Sequence, residues 1–487
     1  MKGAIWRPSA FPGERESPGP LNPGNLRVQR RFGTLSCCTN AGLNIGTESM
    51  PRASFQSVGC KLNSCEIELI ERQFAARGYD IVPFEEPADV TIINTCTVTA
   101  SSDADCRKLI RRAGRLNPQV RVVVTGCLAQ RIPDELAAMP NVALVLGNGA
   151  KSELISHVES AGDNGEASVI ATAPSSDSSF LGIDRPGVEI ERGHLHTRAT
   201  LQIQDGCDRH CTYCIIPSVR GPSRSRPLKD ILADARSFVA EGYREIALTG
   251  VNSAAWGHDL AGDRTFVDVV RVIANESGIE RLRTNSMEPE EITDELIAFL
   301  TGHPNVCRHF HVPLQSGSDQ VLRRMGRRYR SADYRHIVER FAELSAGCAL
   351  GADIMVGFPG ETGRDFEDTY TLLSESPLTH AHIFIYSPRE GTPSTRMDGA
   401  VALEVARDRS RRLRGLAVEK QMAFHQAHIG TTVNVLVEDS HEASTGFLRG
   451  LTDNYIRVSA DLPPESVNTI VPVELVSATP NGMSGIT

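Results

Sequence analysis

A chain of 487 residues is too long for one compact core and implies about three domains. Its 40% hydrophobic and 23% charged residues suit a water-soluble globular protein, and the lack of any run of about 18 apolar residues excludes a membrane-spanning helix. A net charge of −9 excludes a protein that coats nucleic acid with its whole surface, but not a local basic groove, whose field is set by charges within about one Debye length.

Residues 1–49 are rich in Pro, Gly, Arg and Ser and lack helical or strand periodicity, so a disordered tail is expected, with Met50 as an alternative start. Glu14, Glu16 and Glu48 argue against a targeting segment, and no secretory h-region is present. A cytoplasmic protein is expected, in which grouped cysteines, among twelve in all, read as metal or redox ligands rather than disulfides. Cys37 and Cys38 in the tail read as incidental thiols.

Ala53–Val58 is strand-like, and three short apolar runs, Val90–Asn94, Arg121–Thr125 and Val142–Leu146, have strand length. Helix-length stretches such as Ser64–Arg77 and Ala104–Arg115 lie between them, which predicts a parallel sheet in a first domain, residues 50–160. Residues 161–197 are small and polar and read as a linker. A second alternating series fills residues 198–428. Its strands are Leu201–Gln204, Glu245–Leu248, Arg281–Thr284, His309–Val312, Leu350–Met355 and His382–Ile385, with helices such as Leu228–Glu241, Asp333–Leu344 and Arg364–Ser374. Six βα units predict an open (β/α)6 partial barrel. A charged helical stretch, Val401–His428, leads to residues 429–487. There Val433–Val437, Gly446–Arg449, Tyr455–Val458 and Val471–Val476 predict a small all-β barrel.

Just after the first barrel strand stands Cys207-Asp-Arg-His-Cys211-Thr-Tyr-Cys214. Three thiolates hold a 4Fe-4S cluster and leave one iron open to a small molecule, as a catalytic metal site requires. Zinc fits this spacing poorly, although His210 offers a fourth ligand. Cys60, Cys96 and Cys127 are scattered, but each follows a predicted strand and precedes a predicted helix. In a parallel sheet such turns share the carboxyl edge, beside helix N-termini that favour thiolate, so a second three-cysteine cluster is expected. Taken singly, each of the three reads equally as a small buried hydrophobe. Cys65, Cys106, Cys307 and Cys348 do not follow this rule and read as structural.

Several stretches resemble the radical-SAM methylthiotransferase family, in this order: VGCKLNSCE (58–66), INTCTVT (93–99), VTGCLAQ (124–130), IQDGCDRHCTYCIIPSVRGPSRSR (203–226), LTGVN (248–252), HVPLQSGSDQVLRRMGRRY (311–329) and DIMVGFPGE (353–361). The final module is similar to a TRAM domain, an RNA-binding barrel. With Lys61 and Asn63, GCKLNSCE resembles the branch acting on N6-threonylcarbamoyladenosine beside the tRNA anticodon, at position 37.

The resemblance implies two 4Fe-4S clusters and two S-adenosylmethionine molecules. One molecule would methylate sulfur held at the auxiliary site of Cys60, Cys96 and Cys127. The other, cleaved at the site of Cys207, Cys211 and Cys214, would give the radical that takes hydrogen from C2 of adenine, a position general-base chemistry does not reach. An electron donor such as flavodoxin or ferredoxin and a source of sulfur are implied as partners.

Tyr213, Gly250, Asn252, Ser286 and Gln315 are further candidates for cofactor contact, with packing or strand termination as their ordinary alternatives. Four arginine clusters, Arg107–Arg115, Arg220–Arg226, Arg323–Arg330 and Arg407–Arg414, offer contacts to RNA or simply solvated faces. The competing readings are an isopentenyladenosine tRNA enzyme, an enzyme for a ribosomal-protein aspartate, and a non-catalytic iron–sulfur RNA-binding protein.

Overall fold

The computed structural model describes residues 50–160, 167–182 and 197–487. The tail 1–49 with Cys37 and Cys38, and most of the linker 161–197, lie outside the described residues.

Six parallel strands form the first sheet, in the order Asp80–Ile81, Arg52–Ser57, Val90–Thr95, Arg121–Gly126, Val142–Leu146 and Ser168–Ile170. The last of these falls within the stretch read as linker. It is an edge strand held by backbone pairing to Leu144–Leu146, and its exposed Ser168 and Val169 give it no apolar signature. The first two helices start earlier than the apolar periodicity suggests, at Lys61 and Ala100. Their starts are set by the extended backbone of Cys60 and by the Thr99 hydroxyl, which accepts from Ser102 N at 3.2 Å.

The second sheet system runs in sequence order: Ala199–Gln202, Glu245–Thr249, Arg281–Arg283, then His309–His311, Ala349–Val356, His380–Ile385. All pairings are parallel. Single bridges, Leu282 to Val306 and Ser286 to His311, join its two halves. Among the described residues the first and last strands do not pair, so this is the open six-stranded barrel expected. Helices bury Trp256, Phe266, Phe310, Phe341 and Phe366 between themselves and the sheet.

The closing module is a closed five-stranded barrel: Thr432–His441, Leu448–Thr452, Arg457–Ala460, Gly482–Ile486, Ile470–Thr479. The strand Gly482–Ile486, which completes it, escapes sequence reading because its glycines lower strand propensity. Gly485 is needed there: a Cβ would lie 2.2 Å from Val473 Cγ1.

Two arginines of the large barrel clasp the small one. Arg281 donates to Leu451 O at 3.0 Å and Asn434 O at 2.7 Å, and Arg283 to Asp453 O at 3.0 Å and Thr452 O at 3.1 Å. Arg308 adds an ion pair to Asp453, and the Tyr455 ring enters the large barrel to stack on His309 at 4.2 Å. Among the described residues no helix is long and apolar enough to cross a membrane.

Removing a donor from two buried carbonyls costs about 1–3 kcal/mol for each group left unsatisfied. Arg281→Ala is therefore expected to loosen the small barrel, and amide hydrogen exchange over residues 432–486 should accelerate while exchange in Arg52–Ser57 does not.

Candidate active site: two three-thiol centres at one cleft

Three adjacent strands of the first sheet end at the same edge, and a cysteine follows each. Cys60 is the N-cap of Lys61–Ala76, Cys96 comes just before the helix at Ala100, and Cys127 opens the short helix Cys127–Arg131. Cys60 makes no capping hydrogen bond, so its thiol is not committed to the backbone. The turns are pinned together by Asn63, which donates to Val58 O at 2.8 Å and Thr95 O at 3.0 Å. Gly59 has φ +110°, and a Cβ there would lie 2.7 Å from Cys96 Sγ, so only glycine lets the two turns approach.

Each thiol of this triad has identifiable neighbours. Cys96 Sγ accepts from Val98 N at 3.5 Å, and Cys127 Sγ lies 3.8 Å from Asn148 Nδ2. The surrounding protein raises the Cys60 thiol pKa, outweighing nearby Arg220, although the residue itself opens to the cleft. Cys96 is pushed up to about 12 by burial, then by the charges of Cys127 and Cys60, which places the three within electrostatic reach of one another.

The second triad lies on the loop after Ala199–Gln202. Cys207 Sγ accepts from Arg209 N at 3.4 Å, Cys214 N donates to Cys211 O at 3.0 Å, and Arg327 Nη1 reaches Cys211 Sγ at 3.4 Å. Arg327 is held by Glu288. Burial pushes Cys207 up to about 11 and Cys214 up to about 12, with the neighbouring thiols adding to the shift. His210, the alternative zinc ligand, belongs to this loop.

A single tetrahedral ion with sulfur ligands at about 2.3 Å needs its sulfurs within about 4 Å of one another. Three thiols without a fourth cysteine suit a cluster gripped by three corners better than a four-coordinate zinc ion. A cluster held at either site would require the burial-raised thiols of Cys60, Cys96, Cys207 and Cys214 to lose their protons.

The centres are neighbours. Cys127 packs on Ile215 and Val219, in the segment that follows Cys214. From the end of the helix Ile216–Arg220, the side chain of Arg220, only 1% exposed, reaches back between them. It donates to Glu66 Oε1 at 2.8 Å, Asn63 Oδ1 at 2.7 Å and Asp205 Oδ1 at 2.9 Å. Lys151 Nζ meets Glu66 Oε2 at 2.6 Å and Arg224 meets Asp205 Oδ2 at 3.0 Å. Burial would raise the Glu66 carboxyl pKa, but Arg220 and Lys151 hold it well below the usual carboxylate range. The stabilisation is thus full above the ordinary carboxylate pKa and is lost only as pH falls through the depressed value.

This network corrects the reading of Arg220–Arg226 as an RNA-facing cluster. Arg220, Arg224 and Arg226 are all buried, and Arg226 pairs with Asp234 at 2.7 Å. Arg327 and Arg409 are likewise buried, Arg409 against Glu361. Arg111, Arg115, Arg323, Arg328, Arg330 and Arg407 stay exposed.

The remaining candidates lie around the barrel's upper rim. Tyr213 packs edge-on against Phe358 with 6.2 Å between ring centroids, in a cluster with Met355, Tyr386 and Met397. Gly250 and Asn252 flank Gln204, whose Oε1 accepts from Asn252 N at 2.9 Å; Asn252 Oδ1 is buried without a partner. Ser286 is exposed on the bridge to His311. Gln315 has φ +62°, and its N–H donates to Asp353 O at 2.7 Å. The four cysteines read as structural are buried; Cys65 bonds Thr200 O at 3.3 Å and Cys106 bonds Cys96 O at 3.6 Å.

Sequence reading missed the barrel lumen. His309 and His311, with His380 and His382, alternate along two strands, and Asp353 Oδ2 lies 3.2 Å from His311 Nε2. Burial first, then the other histidines, lowers His380 to about 3. The signal was available: polar residues at i and i+2 of a barrel strand share one face.

Residues 52–147 match the family described as Uncharacterized protein family UPF0004, and residues 201–373 match the Radical SAM superfamily. The chain is 34% identical over 437 residues to the threonylcarbamoyladenosine tRNA methylthiotransferase MtaB of Bacillus subtilis, covering 88% of this chain and 94% of that protein. It is 36% identical over 431 residues to the MtaB of Rickettsia prowazekii, covering 87% and 97%. A tRNA-2-methylthio-N(6)-dimethylallyladenosine synthase of Parafrankia sp. is 37% identical over 406 residues, covering 81% and 80%. Among solved structures, the radical S-adenosylmethionine methyltransferase TsrM of Kitasatospora setae shares the fold, with TM-score 0.51 at 14% identity, covering 77% of this chain and 89% of that one.

Two outcomes follow from the site's construction. With a Cβ forced against Cys96 Sγ, Gly59→Ala should hold about four irons after anaerobic reconstitution instead of about eight. Arg220→Met leaves a buried carboxylate short of its partner at a cost of about 3–5 kcal/mol. Its urea midpoint should fall, and adding Glu66→Gln to the same chain should recover part of the loss.

Proposed function

Because the chain belongs to the radical-SAM methylthiotransferase family, in the branch of the MtaB enzymes, we propose that it adds a methylthio group to C2 of N6-threonylcarbamoyladenosine at position 37 of tRNA. The observation that carries this reading is the contact of Cys127 with Ile215 and Val219, which sets one three-thiol centre beside the other. Sulfur delivery and hydrogen abstraction must act on the same carbon, so two separated centres would be useless and two adjacent ones are what the reaction needs.

When bound, the two 4Fe-4S clusters and S-adenosylmethionine supply the radical, the methyl group and the sulfur. In this reading Cys60, Cys96 and Cys127 hold the auxiliary cluster, and Cys207, Cys211 and Cys214 the cluster that reduces S-adenosylmethionine. Arg327 donates to Cys211 Sγ and orients the loop that carries it. Tyr213, Gly250, Asn252, Ser286 and Gln315 form the rim on which the cofactor lies. The first domain, about 50–160, carries sulfur, the barrel of 198–428 carries the radical, and the small barrel of 429–487 carries RNA together with the exposed arginines. An electron donor such as flavodoxin or ferredoxin and a sulfur source complete the cycle, in the cytoplasm.

Single replacements should separate the two halves. Cys207→Ala is expected to abolish both 5′-deoxyadenosine and methylthio product. Cys127→Ala should still release 5′-deoxyadenosine yet give no methylthiolated tRNA, measured by nucleoside mass spectrometry. If deleting the gene left methylthio-threonylcarbamoyladenosine at its normal level in tRNA, this assignment would be wrong.

A further inference from the structure

Lys61 directly follows Cys60, and its side chain turns into the barrel. Its Nζ donates to Asn285 Oδ1 at 3.2 Å and lies 5.8 Å from the centroid of the Tyr455 ring. Asn285 stands just past the strand Arg281–Arg283, and Tyr455 comes from the small barrel, so three parts of the chain meet at one ammonium.

Among the described residues no carboxylate pairs with this ammonium. The acid that acts on it, Glu245, is already bonded through both oxygens to Arg283, at 2.7 and 3.1 Å. Arg198 and Arg283 add like charge nearby. Beneath lies His309, 5% exposed, with neither ring nitrogen partnered and its ring stacked on Tyr455 at 4.2 Å. Lys61 is half-buried, and a cation that has lost part of its water without a counter-charge is stabilised when a ligand brings the anion. The pocket offers an ammonium, an amide, a phenol and an imidazole, a set suited to a carboxylate with hydrogen-bonding neighbours.

Given the function proposed above, on which this step rests, we propose that Lys61, with Asn285, Tyr455 and His309, forms the subsite for the free carboxylate of the threonylcarbamoyl group. Lys61 is thereby a specificity-determining residue. A dimethylallyl group in the same place brings only hydrocarbon and would displace water from the ammonium without supplying a counter-charge, so the subsite rejects it as well as selecting the acid.

The test uses the reconstituted holoenzyme and two anticodon stem-loop RNAs, one carrying threonylcarbamoyladenosine and one carrying its carboxyl methyl ester. Wild type should prefer the acid by roughly 100-fold or more in kcat/KM, since a site built for a polar group discriminates strongly against its loss. In Lys61→Met that ratio should collapse toward one, chiefly through KM for the acid, while iron content holds. Lys61→Arg should keep the preference. Asn285→Leu, which does not disturb the Cys60 turn, should lower the ratio in the same direction and serves if Lys61→Met loses iron. Wild-type enzyme active on the acid, with a preference that survives both Lys61→Met and Asn285→Leu, overturns the subsite alone. Wild-type enzyme inert on both RNAs overturns the proposed function and the subsite with it.

Discussion

Everything in the cleft depends on one buried guanidinium. Arg220 leaves the radical-SAM barrel, passes behind both cysteine triads, and ends on Glu66 and Asn63 of the first domain. The same guanidinium binds Asp205, two residues before Cys207. Glu66 and Asn63 also anchor Asn94 and the turn at Thr95, which lead into Cys96. One cation therefore fixes the height of three cysteine-bearing turns at once. A buried ion pair of this kind contributes little net stability compared with apolar packing, because desolvation consumes the Coulomb gain. Its value here is geometric, since an apolar seam would let the domains slide and a fully satisfied polar one does not.

The same burial sets the chemistry of the thiols. Burial pushes the thiols of Cys96, Cys207 and Cys214 well above the ordinary thiol range. To hold an iron–sulfur cluster these cysteines would have to give up their protons. Arg220 and Arg327 then stand beside the sulfurs as permanent positive charges, one at each centre.

How far this was legible in the sequence varied with the kind of interaction. Strands buried on both sides, such as Val90–Thr95 and Arg121–Gly126, announced themselves as apolar runs, and the turn cysteines could be placed from them. Ser168–Ile170 and Gly482–Ile486 could not be read, because backbone pairing rather than side-chain pattern holds them. The arginines of 220–226 were misread for a related cause. A run of positive charge looks the same whether it faces RNA or buried carboxylates, and Glu66, Asp205 and Asp234 are too far away in sequence or too ordinary in type to reveal the pairing. Composition near a site tells which groups are available, and only the fold tells which are already spent.

The lumen shows where surplus remains. Glu245 is taken by Arg283, and Asp353 faces His311, leaving Lys61 without an acid and His309 without any partner. Proteins seldom leave buried donors unmatched where nothing binds. Here one such group, His309, lies in the lumen under Tyr455, and Lys61, the residue after Cys60, reaches the same ring. The arrangement separates two tasks that share one substrate: the rim and its sulfurs handle C2 of the base, whatever hangs from N6, and the deeper donors inspect the N6 substituent. Related enzymes could then keep the upper chemistry intact and change acceptors by altering the lumen, with Lys61 as the position where such a change would matter most.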